Sequence, residues 1–318
     1  MKILFMGTPD FATACLDALL ADEFFEVAGV VTKPDTRSGR GMKLNFSDVK
    51  KRALEKNIPV YQPETLKDEA ILPLLDEIKP DCIAVAAYGK ILPGYVIDYP
   101  KYGCVNVHGS LLPEYRGASP IQRAVLDGKK ETGVTTMFMA RGLDTGDILL
   151  SEKTEIGENM TTGELFDKLA NIGGKLLVQT LHALKSGTIT PIKQDDEKAT
   201  YAEKITESEC ALDFSKSADC VHNKIRGLSP FPGAEAFLDG KRIKLYGSAL
   251  CKEDGYENAS FGEVVSADKN GIKIKCLDGA VSVSEFKPEG KGVLSALDMI
   301  NGRKIAVGKI FEKREELL

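Results

Sequence analysis

The residue pattern predicts an α/β chain, a doubly wound, mostly parallel sheet (Rossmann-like) followed by a smaller C-terminal β-barrel. Two observations carry that expectation. Over the first two-thirds, short Val- and Ile-rich runs without polar alternation take turns with amphipathic stretches. Strands buried on both faces, joined by crossover helices, read in this way. Beyond residue 205 the texture changes to short strand-like runs separated by Asx-Gly pairs, the strongest short-range hairpin signal.

Ile3 to Met6, Val27 to Thr32, Cys82 to Ala87, Cys104 to His108 and Val134 to Ala140 are the predicted sheet strands. Helical patterns at Ala12 to Leu20 and Ile121 to Leu126 lie between them. Sheets of this kind bind ligands outside the carboxyl ends of their strands. Thr161 to Leu184 predicts one long helix, with Thr161 and Glu164 spaced as a capping box and Gly187 past the end. Residues 188–205 are polar, carry Pro191 and the run Asp195-Asp196-Glu197, and read as a linker. The predicted barrel strands are Ala234 to Leu238, Lys241 to Tyr246, Gly262 to Ser266, Ile272 to Cys276 and Val281 to Phe286. Turns at Asp239-Gly240, Asn270-Gly271 and Asp278-Gly279 separate several of them, which suggests an OB-like barrel. The expected division is a catalytic domain over 1–187, a linker over 188–205 and the barrel over 206–318.

With 43% hydrophobic and 28% charged residues over 318 positions, the chain has the composition of a soluble globular protein. Its net charge of -5 gives no bulk sign of nucleic-acid binding. The seven cysteines are odd in number and form no Cys-x-x-Cys pair. A disulfide framework or zinc ribbon is disfavoured, and a reducing compartment fits better. The opening apolar run is too short for a signal segment or a membrane span, so a cytoplasmic protein with no membrane role is expected.

Only three histidines exist, His108, His182 and His222. His182 falls inside the long helix and His222 in a short helical pattern, and both read as helix-face or surface histidines. His108 differs. It ends a strand and is followed at once by Gly109-Ser110-Leu111-Leu112-Pro113. Strand alternation puts Asn106 and His108 on one face, at the end where α/β enzymes place reacting groups. A second strand-end loop is Arg141-Gly142-Leu143-Asp144-Thr145-Gly146-Asp147. Asp144 there is either a turn residue flanked by glycines or a third member of the site. Asp147, which precedes the apolar run Ile148 to Leu150, is the weaker carboxylate.

An amide, an imidazole and a carboxylate suit acyl-type transfer without a covalent intermediate. As an amine attacks a formyl carbonyl, Asn106 can donate to the forming oxyanion. His108 can add a second donor or relay a proton, and Asp144 can orient the imidazole and favour its charged form. A free α-amine has a pKa of roughly 7.7–8, so a useful fraction is neutral at cell pH. Other chemistries fit worse. No Gly-x-Ser-x-Gly surrounds Ser110, and His-Glu-x-x-His is absent, so no metal is expected. The first turn, Gly7-Thr8-Pro9-Asp10-Phe11-Ala12, lacks two glycines of the dinucleotide fingerprint, and Pro9 removes a backbone donor. A nicotinamide cofactor is therefore disfavoured.

These same segments resemble the folate-dependent formyltransferase family. Phe5 to Ala12 looks like its opening, Asn106 to Pro113 with Tyr115-Arg116-Gly117-Ala118-Ser119-Pro120 like its central signature, and Leu143 to Gly146 like its third block. Ser229 to Ala234 resembles the start of the C-terminal domain in members that act on charged tRNA. The resemblance runs in order through the whole chain. It implies 10-formyltetrahydrofolate as donor co-substrate, Asn106, His108 and Asp144 as the catalytic trio, and Ser110, Leu111, Leu112 and Pro113 against the folate.

The acceptor implied is the α-amino group of initiator methionyl-tRNA, for translation initiation. From 32 to 52, Lys33, Arg37, Arg40, Lys43, Lys50, Lys51 and Arg52 face only Asp35 and Asp48, seven against two, a net of +5. A basic loop at the active-site edge, made mobile by Gly39 and Gly41, suits the phosphates of an acceptor stem. In the family this insertion enters the acceptor end of the tRNA, with Arg40 at the matching position and Arg37 and Lys43 beside it. Lys216, Lys224, Arg226, Lys241, Arg242 and Lys244 suggest a second basic strip on the barrel. A monomer is expected. Transfer to an amino sugar nucleotide, hydrolysis of formyl-folate and non-catalytic RNA binding on a degenerate scaffold are the rival readings.

Overall fold

The computed structural model of the chain describes residues 1–38, 43–251 and 255–313, Ser38 and Lys43 by their backbone alone. Residues 1–120, 132–154 and 166–203 form one compact unit, and 121–131, 155–165 and 204–318 a second.

The first unit is built on β1 (Lys2–Gly7), β2 (Glu26–Val31), the hairpin β3 (Thr36–Ser38) and β4 (Lys43–Asn45), β5 (Val60–Tyr61), β6 (Cys82–Ala86) and β7 (Cys104–His108). It continues through β8 (Arg116–Gly117), β9 (Glu131–Phe138), β10 (Ile148–Glu155) and β11 (Tyr201–Ala202). Its helices are α1 (Asp10–Leu20), α2 (Asp48–Glu55), α3 (Leu72–Ile78) and α4 (Gly94–Ile97). The main sheet runs β10-β9-β7-β6-β1-β2-β5. The five strands from β7 to β5 are mutually parallel. β9 lies antiparallel to β7, although its apolar run reads like its parallel neighbours. A strand buried on both faces has the same composition in either direction, so the run reveals burial and not polarity.

Ile3, Leu4, Phe5 and Met6 of β1 are fully buried, each contributing about 1.5–3 kcal/mol by transfer from water. Parallel alignment brings the loops after β1, β6 and β7 to one edge. Thr8 Oγ1 donates to Tyr88 O at 3.1 Å there. Gly7 is required at the turn into α1, where a Cβ would stand 2.6 Å from that of Ala12.

The helix α5 (Pro120–Leu126) belongs to the second unit except at its first residue, and the long helix α6 (Thr162–Ser186) begins there. α6 has the expected capping box. Thr161 N donates to Glu164 Oε2 at 2.8 Å, and Glu164 N to Thr161 Oγ1 at 3.3 Å. Gly187 follows at φ +69°. The second unit thus takes three stretches of chain, not the single one after a linker that the sequence suggests. Thr162 Oγ1 donates to Gly227 O at 2.7 Å, and Leu126 packs against Gly227. Such long-range contacts leave no local pattern.

The second unit continues with α7 (Ala218–Gly227), β12 (Ala234–Leu238), β13 (Lys241–Cys251), β14 (Val264–Asp268) and β15 (Gly271–Cys276). β16 (Gly279–Pro288), β17 (Leu294–Ser295), α8 (Ala296–Asn301) and β18 (Phe311–Glu312) complete it. The antiparallel sheet runs β14-β15-β16-β13-β12-β18. Its ends meet, since Val264 N donates to Lys309 O and Phe311 N to Gly262 O, both at 2.8 Å, so the sheet curls into a barrel. Two of the hairpin loops lie one residue earlier than the Asx-Gly pairs suggest, with Asp268 paired to Gly271 and Cys276 to Gly279. Each glycine opens the returning strand; a Cβ on Gly271 would strike Ser282 Oγ.

His222 lies in the interior and not on the surface as its helical pattern suggests. It is buried, with Nδ1 2.8 Å from Ser248 Oγ and Nε2 3.0 Å from Glu158 O. Burial, the largest influence, holds its pKa below the ordinary 6.5. Between those values the unfolded chain binds the proton and the folded one does not. Stability therefore falls as pH drops below 6.5, with a slope approaching about 1.4 kcal/mol per pH unit from this one group. Urea unfolding of the barrel followed from pH 7.5 to 5 should show that loss, and His222→Gln should flatten it. An unchanged slope in the variant refutes the assignment.

Candidate active site

β7 carries the first two members of the predicted trio. Asn106 pairs in register with Val85 and Met137, and His108 with Thr135, so both lie at the carboxyl end of the strand. Asn106 is half-buried, and its amide has no hydrogen-bond partner among the described residues. His108 is buried. Its Nε2 stands 2.9 Å from Tyr115 O. A carbonyl only accepts, so Nε2 carries a proton. Its Nδ1 stands 3.7 Å from Asp144 Oδ2, too far for a direct hydrogen bond and close enough for an ion pair.

Asp144 is thus brought to the imidazole across the sheet. Its Oδ2 accepts from Gly117 N at 2.7 Å, while Oδ1 has no partner among the described residues. Asp144 sits at φ +52° and Tyr115 at φ +60°. Aspartate tolerates that left-handed region, and tyrosine adopts it at a cost of about 1–3 kcal/mol.

Neighbouring chain holds both. Gln194, buried, accepts at Oε1 from Arg116 Nε at 3.1 Å and Nη2 at 2.9 Å. Its Nε2 donates to Asp144 O at 2.8 Å and to Gly146 O at 2.7 Å. Thr200 Oγ1 accepts from Tyr115 N at 2.8 Å, and β11 pairs with β8. Residues 194–202 therefore belong to the site and not to a linker. Nothing in their polar composition marks them, apart from the short β-prone run Thr200-Tyr201-Ala202 inside an otherwise charged segment.

The loop expected against folate divides. Ser110 is fully buried, and its Oγ holds the loop by donating to Glu114 O at 2.6 Å. Leu112 is also buried, its N–H donating to Thr135 Oγ1 at 3.2 Å. Leu111 and Pro113 remain half-buried and can offer apolar surface. Ile91, in the loop after β6, is 86% exposed, an apolar side chain at the same edge that the sequence did not single out. Cys82 and Cys104 open β6 and β7, at the amino ends of these strands, and burial raises both thiols well above their usual value, so neither is a thiolate nucleophile. Among the described residues no cluster of His, Cys, Asp and Glu suits a metal, and no helix is long and apolar enough to cross a membrane.

Of the segment read as basic, Arg37 is exposed on the β3–β4 hairpin. Arg40 and the side chain of Lys43 lie outside the described residues. The remaining cations are mostly committed. Lys50 bonds Asp35 at 2.6 Å and Gln62 at 2.7 Å, Lys51 pairs with Asp48, and Arg52 bonds Asp17 at 2.5 Å. Bonds from Lys50 and Gln62 hold the Asp35 carboxyl below its usual pKa.

Residues 1–181 match the family described as formyl transferase, and 204–304 its C-terminal domain. The chain belongs to the formyltransferase family. It is 46% identical to methionyl-tRNA formyltransferase of Clostridium novyi, over 98% of this chain and 100% of that protein. The enzyme of the same name from Lachnospira eligens is 45% identical over 97% of this chain and 98% of its own. Among solved structures, the N-formyltransferase of Helicobacter canadensis, in complex with folinic acid and dTDP-3-aminofucose, matches with a TM-score of 0.67 at 21% identity, covering 89% of this chain and 98% of that one. HypX of Aquifex aeolicus in complex with tetrahydrofolic acid matches at 0.65 and 16%, covering 96% of this chain and 48% of that one. These likenesses agree with the formyltransferase fold of both units.

Proposed function

We propose that the chain transfers the formyl group of 10-formyltetrahydrofolate to the α-amino group of initiator methionyl-tRNA, as a monomer in the cytoplasm, with Asn106, His108 and Asp144 as its catalytic residues. The observation that carries this reading is an uncommitted amide two residues along β7 from an imidazole that faces a half-free carboxylate. An amide without a protein partner suits a formyl oxygen, and the half-buried Leu111 and Pro113 and the exposed Ile91, in the loops that leave this edge of the sheet, offer apolar surface for a flat ring.

The neutral amine attacks the formyl carbon, and the C–N bond forms as the carbonyl becomes an oxyanion. Asn106 Nδ2 donates to that oxygen. A protonated His108 donates through Nε2 to Tyr115 O, which leaves Nδ1–H to face the carboxylate as an ion pair. Asp144 Oδ1 accepts the amine proton, which passes to the folate nitrogen as its bond to the formyl carbon breaks.

Identity of 45–46% over whole chains to relatives named for methionyl-tRNA favours that acceptor over the amino sugars of more distant neighbours. Charge supports it, in part at other places than the sequence suggests. On the second unit Lys224, Arg226 and Lys244 are spent on backbone carbonyls. Lys241, Lys291, Arg303 and Lys304 instead line a cleft of about 620 Å³ between the β12–β13 turn, the end of β16 and α8. Together with the β3–β4 hairpin this gives a net-acidic protein two basic faces for RNA phosphates. With both acceptors offered, formylation should occur on charged initiator tRNA and not on an amino sugar nucleotide. Arg37→Ala and Arg40→Ala should each raise KM for the tRNA about tenfold, more steeply with added salt, and leave KM for folate unchanged. Formylation of the sugar alone, or an unchanged KM in both variants, counts against this acceptor.

A further inference from the structure

The geometry points to Gln194 and Thr200 as positioning residues of the formyl-transfer site, through which the segment leading out of the first unit sets the Asp144–His108 pair. This rests on the function proposed above, but its main readout does not.

Two residues of the site hold left-handed backbone, Asp144 at φ +52° and Tyr115 at φ +60°. Such conformations persist where the surroundings over-determine them. Gln194 brackets the first. Its amide donates on either side of Thr145, to Asp144 O and Gly146 O, and its carbonyl is fixed by two bonds from Arg116. All of its hydrogen-bonding positions are used, and it is 6% exposed. Thr200 holds the second, accepting from Tyr115 N. Tyr115 and Gly117 in turn touch the two catalytic groups, Tyr115 O at His108 Nε2 and Gly117 N at Asp144 Oδ2. One short segment, 194–200, thus fixes both ends of the 3.7 Å gap. Among the described residues neither Gln194 nor Thr200 bonds Asn106 or the imidazole, so each acts through another group.

Gln194→Glu keeps the shape and the bond to Arg116, removes both donations, and sets a carboxylate oxygen against two carbonyls. The expected result is a 10- to 100-fold fall in kcat, with KM for both substrates within about twofold, the effect of a roughly 1 Å misplacement. Thr200→Val should behave likewise, and Thr200→Ser should restore kcat. If Gln194→Glu does not fold, Gln194→Met, with no added charge, takes its place.

The decisive measurement uses the three histidines. In protein labelled with ¹⁵N-histidine, Gln194→Glu should move the ring nitrogens of His108 while those of His182 and His222 stay, a local change that global loosening would not give. His108 resonances that stay in place, or kcat within twofold of wild type, overturn the proposal. Wild-type protein that formylates no acceptor defeats the proposed function instead, and the resonances still report on the positioning.

Discussion

Asn106→Ala is expected to lower kcat about 10²–10³-fold, a loss of about 2.7–4 kcal/mol of transition-state stabilisation, while KM for folate stays near its wild-type value. The amide is poised for this. It lies half-buried at the end of β7, opposite the almost fully buried Val85 and Met137, and makes no hydrogen bond among the described residues. A polar group that is half-exposed and makes no bond to the protein adds little to the fold. The thermal midpoint of Asn106→Ala should therefore hold even as turnover collapses. That opposition of stability and activity separates a catalytic donor from a structural one. Steady-state kinetics beside a melting curve read both. A kcat within threefold of wild type removes Asn106 as oxyanion donor, and a lowered midpoint would mean that the amide serves the fold.

How far the site was legible follows from which of its forces are local. Strand alternation put Asn106 and His108 on one face, and a run ending in Gly109-Ser110 put them at a strand end; both are properties of neighbours in sequence. The capping box at Thr161 and the hairpin turns are local too; the box stands where the spacing sets it, and two of the turns lie one residue early. Asp144 was ambiguous, because an Asx between glycines is a good turn residue anyway; only the fold shows its carboxylate on Gly117 N and facing His108. Gln194 and Thr200 left almost no trace. Their partners are 50 and 85 residues away, and a polar segment with a proline reads as solvent-facing whether or not its amides are spent. The net +5 between 32 and 52 misled for the same reason, since Lys50 and Arg52 are held by Asp35 and Asp17, while Arg37 on the hairpin is exposed.

Asp144→Asn is expected to lower kcat about 10²–10⁴-fold, the range for removing a positioned acid–base group. Asparagine is the stringent choice because it can preserve the geometry. Its side-chain oxygen can still accept from Gly117 N, and its backbone carbonyl still accepts from Gln194. What disappears is the charge facing His108 Nδ1 and the free oxygen Oδ1 that would take the amine proton. The fold should be unaffected, so the melting curve should overlay that of wild type. Residual turnover should still climb with pH through roughly 7.7–8, because the acceptor amine must be neutral to attack whichever group receives its proton. Asp144→Ala removes the bond to Gly117 N as well, and should lose both turnover and some of the order around Tyr115. A kcat for Asp144→Asn within threefold of wild type would show that this carboxylate only shapes the turn, and would leave the proton to pass to solvent.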